Sequence, residues 1–78
     1  MDQYIIEALL VDYVETPIAN IPDGSKVSYY QGNDFKIGGF MIRKVLDENF
    51  IILSSNPQGD HLRWKVVLND TRFFMKQN

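Results

Sequence analysis

The chain has no cysteine and one histidine, His61, among its 78 residues. The first absence removes disulfide staples and thiolate metal ligands, and the second leaves no pair of imidazoles for a zinc site. No apolar run approaches the roughly 18 residues that a membrane helix needs. Met1 to Val14 has no basic start and carries Asp2, Glu7 and Asp12, so it does not read as a secretory signal. Together these absences suit a reducing compartment and predict a soluble, cytoplasmic protein. The residues of catalysis are equally scarce. Ser25, Ser28, Ser54 and Ser55 stand in no recognisable arrangement with a histidine and a carboxylate, and the glycines follow neither phosphate-cradling spacing. The expectation is no enzyme, no metal and no cofactor.

What is present is aromatic and apolar. Ten aromatic residues and 45% apolar composition are enough for one folded core and some apolar surface beyond it. One domain spanning 1–78 is the reading. A chain this short buries roughly 60–65% of the surface its unfolded form exposes, so tight packing or oligomerisation must supply the rest of its stability. The formal net charge of -2 hides an asymmetry. Residues 1–36 carry Asp2, Glu7, Asp12, Glu15, Asp23 and Asp34 against Lys26 and Lys36; residues 37–78 carry Arg43, Lys44, Arg63, Lys65, Arg72 and Lys76 against Asp47, Glu48, Asp60 and Asp70. The first part is acidic and the second mildly basic, without the strong positive field of a typical nucleic-acid binder.

Apolar residues at 5, 6, 9, 10, 13 and 14 follow one helical face, with Asp2 placed to cap, and predict a helix over 1–16 that stops before Pro17. Ile21-Pro22-Asp23-Gly24 reads as a turn. Five strands are expected across 26–76: Lys26–Tyr30, a long strand Phe35–Leu46, Phe50–Ser55, Leu62–Leu68 and Arg72–Met75. Asn69-Asp70 is short enough for a two-residue reversal between the last two. The long strand contains Gly38-Gly39, and paired glycines in a strand interior mark a sharp bend or close backbone approach. A bent second strand is how five strands curl into a small barrel. The fold class expected is therefore mainly β: an N-terminal α-helix followed by a five-stranded, strongly bent antiparallel barrel of the SH3-like or Sm-like kind.

This order of elements, with Val27-Ser28-Tyr29-Tyr30, then Gly39, then Asp47-Glu48-Asn49-Phe50-Ile51-Ile52-Leu53, resembles the Sm-like family, and its Asp, Asn, Phe succession resembles the bacterial Hfq branch. Where those proteins carry Arg-Gly or Lys-His before the last strand, this chain has Asn69-Asp70-Thr71-Arg72. A small barrel with such a diverged motif set is also similar in style to accessory proteins borne by bacteriophages. The resemblance implies a closed homo-oligomeric ring, on the order of five to seven copies, made by head-to-tail pairing of edge strands. Trp64, Val66, Phe73, Phe74 and Met75 would then lie at the subunit interface. It also implies a pore-loop site for single-stranded RNA made of Asp47, Asn49, Phe50, Asn69 and Arg72, where Phe50 stacks on a base, Asn49 bonds its edge and Arg72 stands in for the missing basic residue. Two other readings of these residues remain. Phe73 to Met75 would simply finish the barrel's own core, and Asp47, Glu48 and Asp70 would repel phosphate, which favours a protein-interaction or assembly module. Arg43, Lys44, Arg63 and Lys65 read either as a basic face for phosphate or as the solvated face of a sheet.

Overall fold

Asp2 starts the helix as its position predicts: its carboxylate accepts the backbone N–H of Tyr4 at 2.7 Å. The computed structural model describes residues 2–77. The helix, α1 (Gln3–Leu9), is shorter than the 1–16 expected and buries one side chain, Ile6. The remainder of the predicted helix becomes a strand, β1 (Tyr13–Glu15), paired antiparallel with the last strand of the chain. Tyr13 and Val14 favour extended backbone, and the edge they cover would otherwise present unpaired backbone groups, so tertiary pairing overrides the helical spacing.

After Pro17, a single 3₁₀ turn at Ile18–Asn20 leads to Ile21, which is fully buried and plugs the core from the connecting segment. Six further strands follow: β2 (Val27–Gln31), β3 (Asp34–Lys36), β4 (Phe40–Val45), β5 (Phe50–Ser54), β6 (Arg63–Val67) and β7 (Thr71–Lys76). They complete two antiparallel sheets, one of four strands ordered β1-β7-β2-β3 and one of three ordered β4-β5-β6. Seven strands among the described residues replace the five expected, and the two sheets do not close into a barrel.

The predicted long strand is broken where the glycines fall. β3 pairs with β2 in the first sheet, and β4 pairs with β5 in the second. Gly38 and Gly39 form the seam, because a Cβ at Gly38 would collide with the Val27 carbonyl and one at Gly39 with the Ser54 carbonyl. The Val27 amide donates to Gly39 O at 2.8 Å and the Met41 amide to Ser25 O at 2.8 Å, which stitches the sheets together there. At the opposite side, β6 and β7 are joined by a short turn through Asp70, whose φ of 55° is left-handed, but they lie in different sheets and share no ladder. The minimal reversal expected at Asn69-Asp70 is thus a crossing from sheet to sheet. The tight turn that makes a hairpin is Gly32-Asn33, with Gly32 at φ 60° and Gln31 opposite Asp34.

Both sheets contribute inward side chains to one core. Val27, Tyr29 and Phe73 face Met41, Ile51, Leu53 and Val66, with Ile21 at the end and Trp64, Leu68 and Met75 packed around them. Tyr29 and Phe73 are cross-strand partners whose rings stack with centroids 5.2 Å apart. Burial of the Tyr29 phenol pushes its pKa up, against a smaller lowering from the neighbouring Trp64 indole.

Candidate functional site

The loop residues expected at a pore do meet in part. Leu46–Glu48 form a 3₁₀ turn closed by Asn49 in the left-handed region at φ 62°. That backbone aims the Asn49 side chain across to the β6–β7 turn, where its Nδ2 donates to Asn69 Oδ1 at 2.8 Å. The Gly32 amide donates to Asp70 O at 2.7 Å, so three turns gather at one end of the molecule. Their exposed charges are Asp47, Glu48 and Asp70, all negative.

Phe50 and Arg72 stand elsewhere. Phe50 is half-buried on the outward face of the three-stranded sheet, with the Lys65 ammonium 4.3 Å above its ring centroid. Arg72 lies on the outward face of the four-stranded sheet. Its Nε and Nη2 donate to the two carboxylate oxygens of Glu15 at 3.0 and 2.9 Å, and its guanidinium rests 5.7 Å from the Tyr30 ring and 5.6 Å from that of Phe74. The guanidinium holds the Glu15 carboxyl below its ordinary value of 4.5. Arg72 thereby fastens β1 to β7, a positioning task that the reading of Glu15 as helical concealed.

The residues expected at a subunit interface divide between two settings. Val66 and Phe73 are buried in the chain's own core, and Trp64 and Met75 pack against it. Phe74 is half-buried on the outward face, edge-on to Tyr30 at 6.0 Å. The outer edge of β7 is occupied by β1: the Thr16 amide donates to Phe73 O at 2.9 Å and the Gln77 amide to Asp12 O at 2.7 Å. The edge of β6 that faces away from β5 has no strand beside it among the described residues.

Two surfaces have no obvious use within the fold. The first is the N-terminal arm formed by α1, the residues after it and β1. Tyr4, Ile5, Leu9, Val11 and Val14 are exposed there by 83%, 53%, 40%, 78% and 49%. The second is the outward face of the three-stranded sheet. Cross-strand pairing sets Arg43, Ile52 and Lys65 in one row and Val45, Phe50 and Val67 in the next. Arg63 flanks them and donates through Nε to Gly59 O. No acidic residue occurs anywhere in β4, β5 or β6. Lys44 leaves this face, because the register shift between Met41 and Arg43 places it opposite buried Ile51, and its Nζ donates to Ile21 O.

An open groove between Pro22–Lys26 and Met75–Gln77 is lined by Asp23, Ser25, Lys26, Phe40 and Lys76. Among the described residues no group of three His, Asp or Glu side chains is arranged to hold a metal ion. No helix is long and apolar enough to cross a membrane. No family model, curated protein or solved structure matches the chain.

Proposed function

We propose that this chain is a five-stranded, strongly bent, partly open barrel of the SH3-like kind with an N-terminal arm, and that it acts as a self-assembly module without catalytic activity. In this reading β3 and β4 are one barrel strand bent at Gly38-Gly39, and β2, β5, β6 and β7 are the other four. The observation that carries the function is the concentration of Tyr4, Ile5, Leu9, Val11 and Val14 on the surface of residues 4–14. Five exposed apolar residues within eleven positions of so small a protein favour a contact surface, and a small core gains from a second copy that covers it.

The assembly is expected to be a ring or a related head-to-tail array of copies. β7 cannot offer its outer edge while β1 holds it, so on that side of the four-stranded sheet the strand open to a neighbouring β6 is β1 itself. Sedimentation velocity of the intact chain over micromolar concentrations tests this. An oligomer whose mass falls on replacing Val11 by Asp supports the module, and a monomer at every concentration overturns it.

A second reading places short single-stranded RNA at the gathered turns, favoured by the Asn49–Asn69 contact that joins two of the expected pore loops. Against it stand the carboxylates of Asp47, Glu48 and Asp70 and the engagement of Arg72 with Glu15. Fluorescence anisotropy of a labelled uridine-rich oligonucleotide decides: binding lost in Asn49→Ala and weakened by salt supports it, and an unchanged signal removes it.

A further inference from the structure

The two unused surfaces are complementary to each other. The arm is acidic and apolar: residues 1–25 contain no lysine or arginine, and Asp2, Glu7 and Asp12 stand among exposed Tyr4, Ile5, Leu9 and Val11. The outward face of the three-stranded sheet is basic and apolar: Arg43, Arg63 and Lys65 surround Phe50, Ile52 and Val67 with no carboxylate on the three strands. Among the described residues none of these six charged groups has an ion pair, and the one salt bridge is Arg72 with Glu15. Dimensions agree as well. A helix of seven residues is about 10 Å long, and three strands span about 10 Å from the first to the third.

β1 fastens the arm to the edge of the four-stranded sheet, whereas the basic face is the outward side of the other sheet. We therefore infer that the acidic apolar arm of one copy docks on the β4-β5-β6 face of a second copy. The inference rests on the self-assembly reading and names its two contact surfaces. Tyr4, Ile5 and Leu9 would lie over Ile52, Val67 and Phe50, with Glu7 and Asp12 against Lys65, Arg43 and Arg63. The opposite charges favour this pairing over arm on arm or face on face, where like charges meet. Because the two surfaces differ, the contact is heterologous and propagates from copy to copy, closing into a ring when the rotation permits.

The test uses two full-length variants, each with one surface intact. Arg43→Glu with Lys65→Glu spoils the face; Tyr4→Asp with Val11→Asp spoils the arm. All four positions are exposed, and circular dichroism confirms that both variants fold. In sedimentation velocity each variant alone is expected to be monomeric, with self-association weakened about thirtyfold or more. Mixed together they are expected to form a one-to-one complex and nothing larger, because one intact arm meets one intact face. The wild-type assembly is expected to weaken as salt rises. A wild-type oligomer unaffected by the face variant overturns this inference and leaves the assembly reading standing. Two monomeric variants that ignore each other on mixing overturn it too, since an intact arm and an intact face would then have failed to meet. A wild-type monomer overturns both.

Discussion

The two sheets share a core and treat their charges in opposite ways. On the four-stranded sheet, Arg72 is held by both oxygens of Glu15 and rests beside Tyr30 and Phe74, and the β7 edge is capped by β1. On the three-stranded sheet, Arg43 and Lys65 meet no carboxylate among the described residues, and no described strand lies on the outer edge of β6. The first sheet pairs its outward arginine within the chain, and the outward cations of the second have no such partner among the described residues. A charge satisfied inside a chain explains local structure, whereas the same charge left alone beside apolar groups points outward to a partner.

The seam where the sheets meet is the place to break the comparison altogether. Gly39→Ala forces a Cβ against the Ser54 carbonyl and toward the Trp64 ring, and Gly38→Ala forces one against the Val27 carbonyl. Each is expected to cost about 2–3 kcal/mol, the range of an overpacked core, and more where the neighbour is rigid backbone. Gly24→Ala serves as control. It has open space around it at φ 90° and is expected to cost about 1 kcal/mol from backbone conformation alone. Urea denaturation measures all three. Equal losses would mean that close approach at the seam is not what selects glycine.

Uncapping the four-stranded sheet should make it resemble the other. Thr16→Pro removes the amide that donates to Phe73 O and is expected to lower stability by about 1–2 kcal/mol, the loss of one backbone bond plus some strand pairing. Amide exchange should then quicken in β1 and along the outer edge of β7, while β5 stays protected. Exchange that quickens evenly across both sheets would show that the arm is integral to the core rather than laid on its edge.

Much of this division was readable in advance, and the part that was not has a physical reason. The paired glycines announce the bend, because no side chain fits where two carbonyls close in. Asp2 announces its cap, since it acts through neighbours in the chain. β1 is different. Tyr13 and Val14 satisfy a helical period and a strand alike, and what decides between them is an edge more than fifty residues away. The Glu15–Arg72 clamp follows from that pairing and was hidden with it. The expected RNA residues were scattered for a related reason: Asn49 and Asn69 sit in turns that the fold brings together, whereas Phe50 and Arg72 belong to strands and go to the outward faces of two different sheets.

Reversing charge on the three-stranded sheet should cost the monomer little. Arg43→Glu is exposed and unpaired, so a stability change within about 0.5 kcal/mol is expected, together with loss of assembly. A large loss of stability with assembly intact would reassign Arg43 to the fold and undo the contrast between the sheets.

The mildest intervention is pH, read through the clamp on the four-stranded sheet by comparing wild type with a variant that lacks it. Arg72 holds the Glu15 carboxyl below its ordinary value of 4.5, so the folded chain keeps that charge more readily than the unfolded one. The resulting stabilisation is fully present above that value and is lost as pH falls through the lowered folded value. Both groups face water, so the effect is small. Glu15→Gln is therefore expected to unfold slightly earlier than wild type in urea at pH 7, and the gap between the two should close as the pH falls below 4.5. The Arg43→Glu variant has no such partner to lose and should show no comparable convergence in that window. A wild-type to Glu15→Gln gap that persists unchanged into acid would mean that the clamp is held by geometry and not by charge, and that β1 stays on its edge for the sake of its backbone bonds alone.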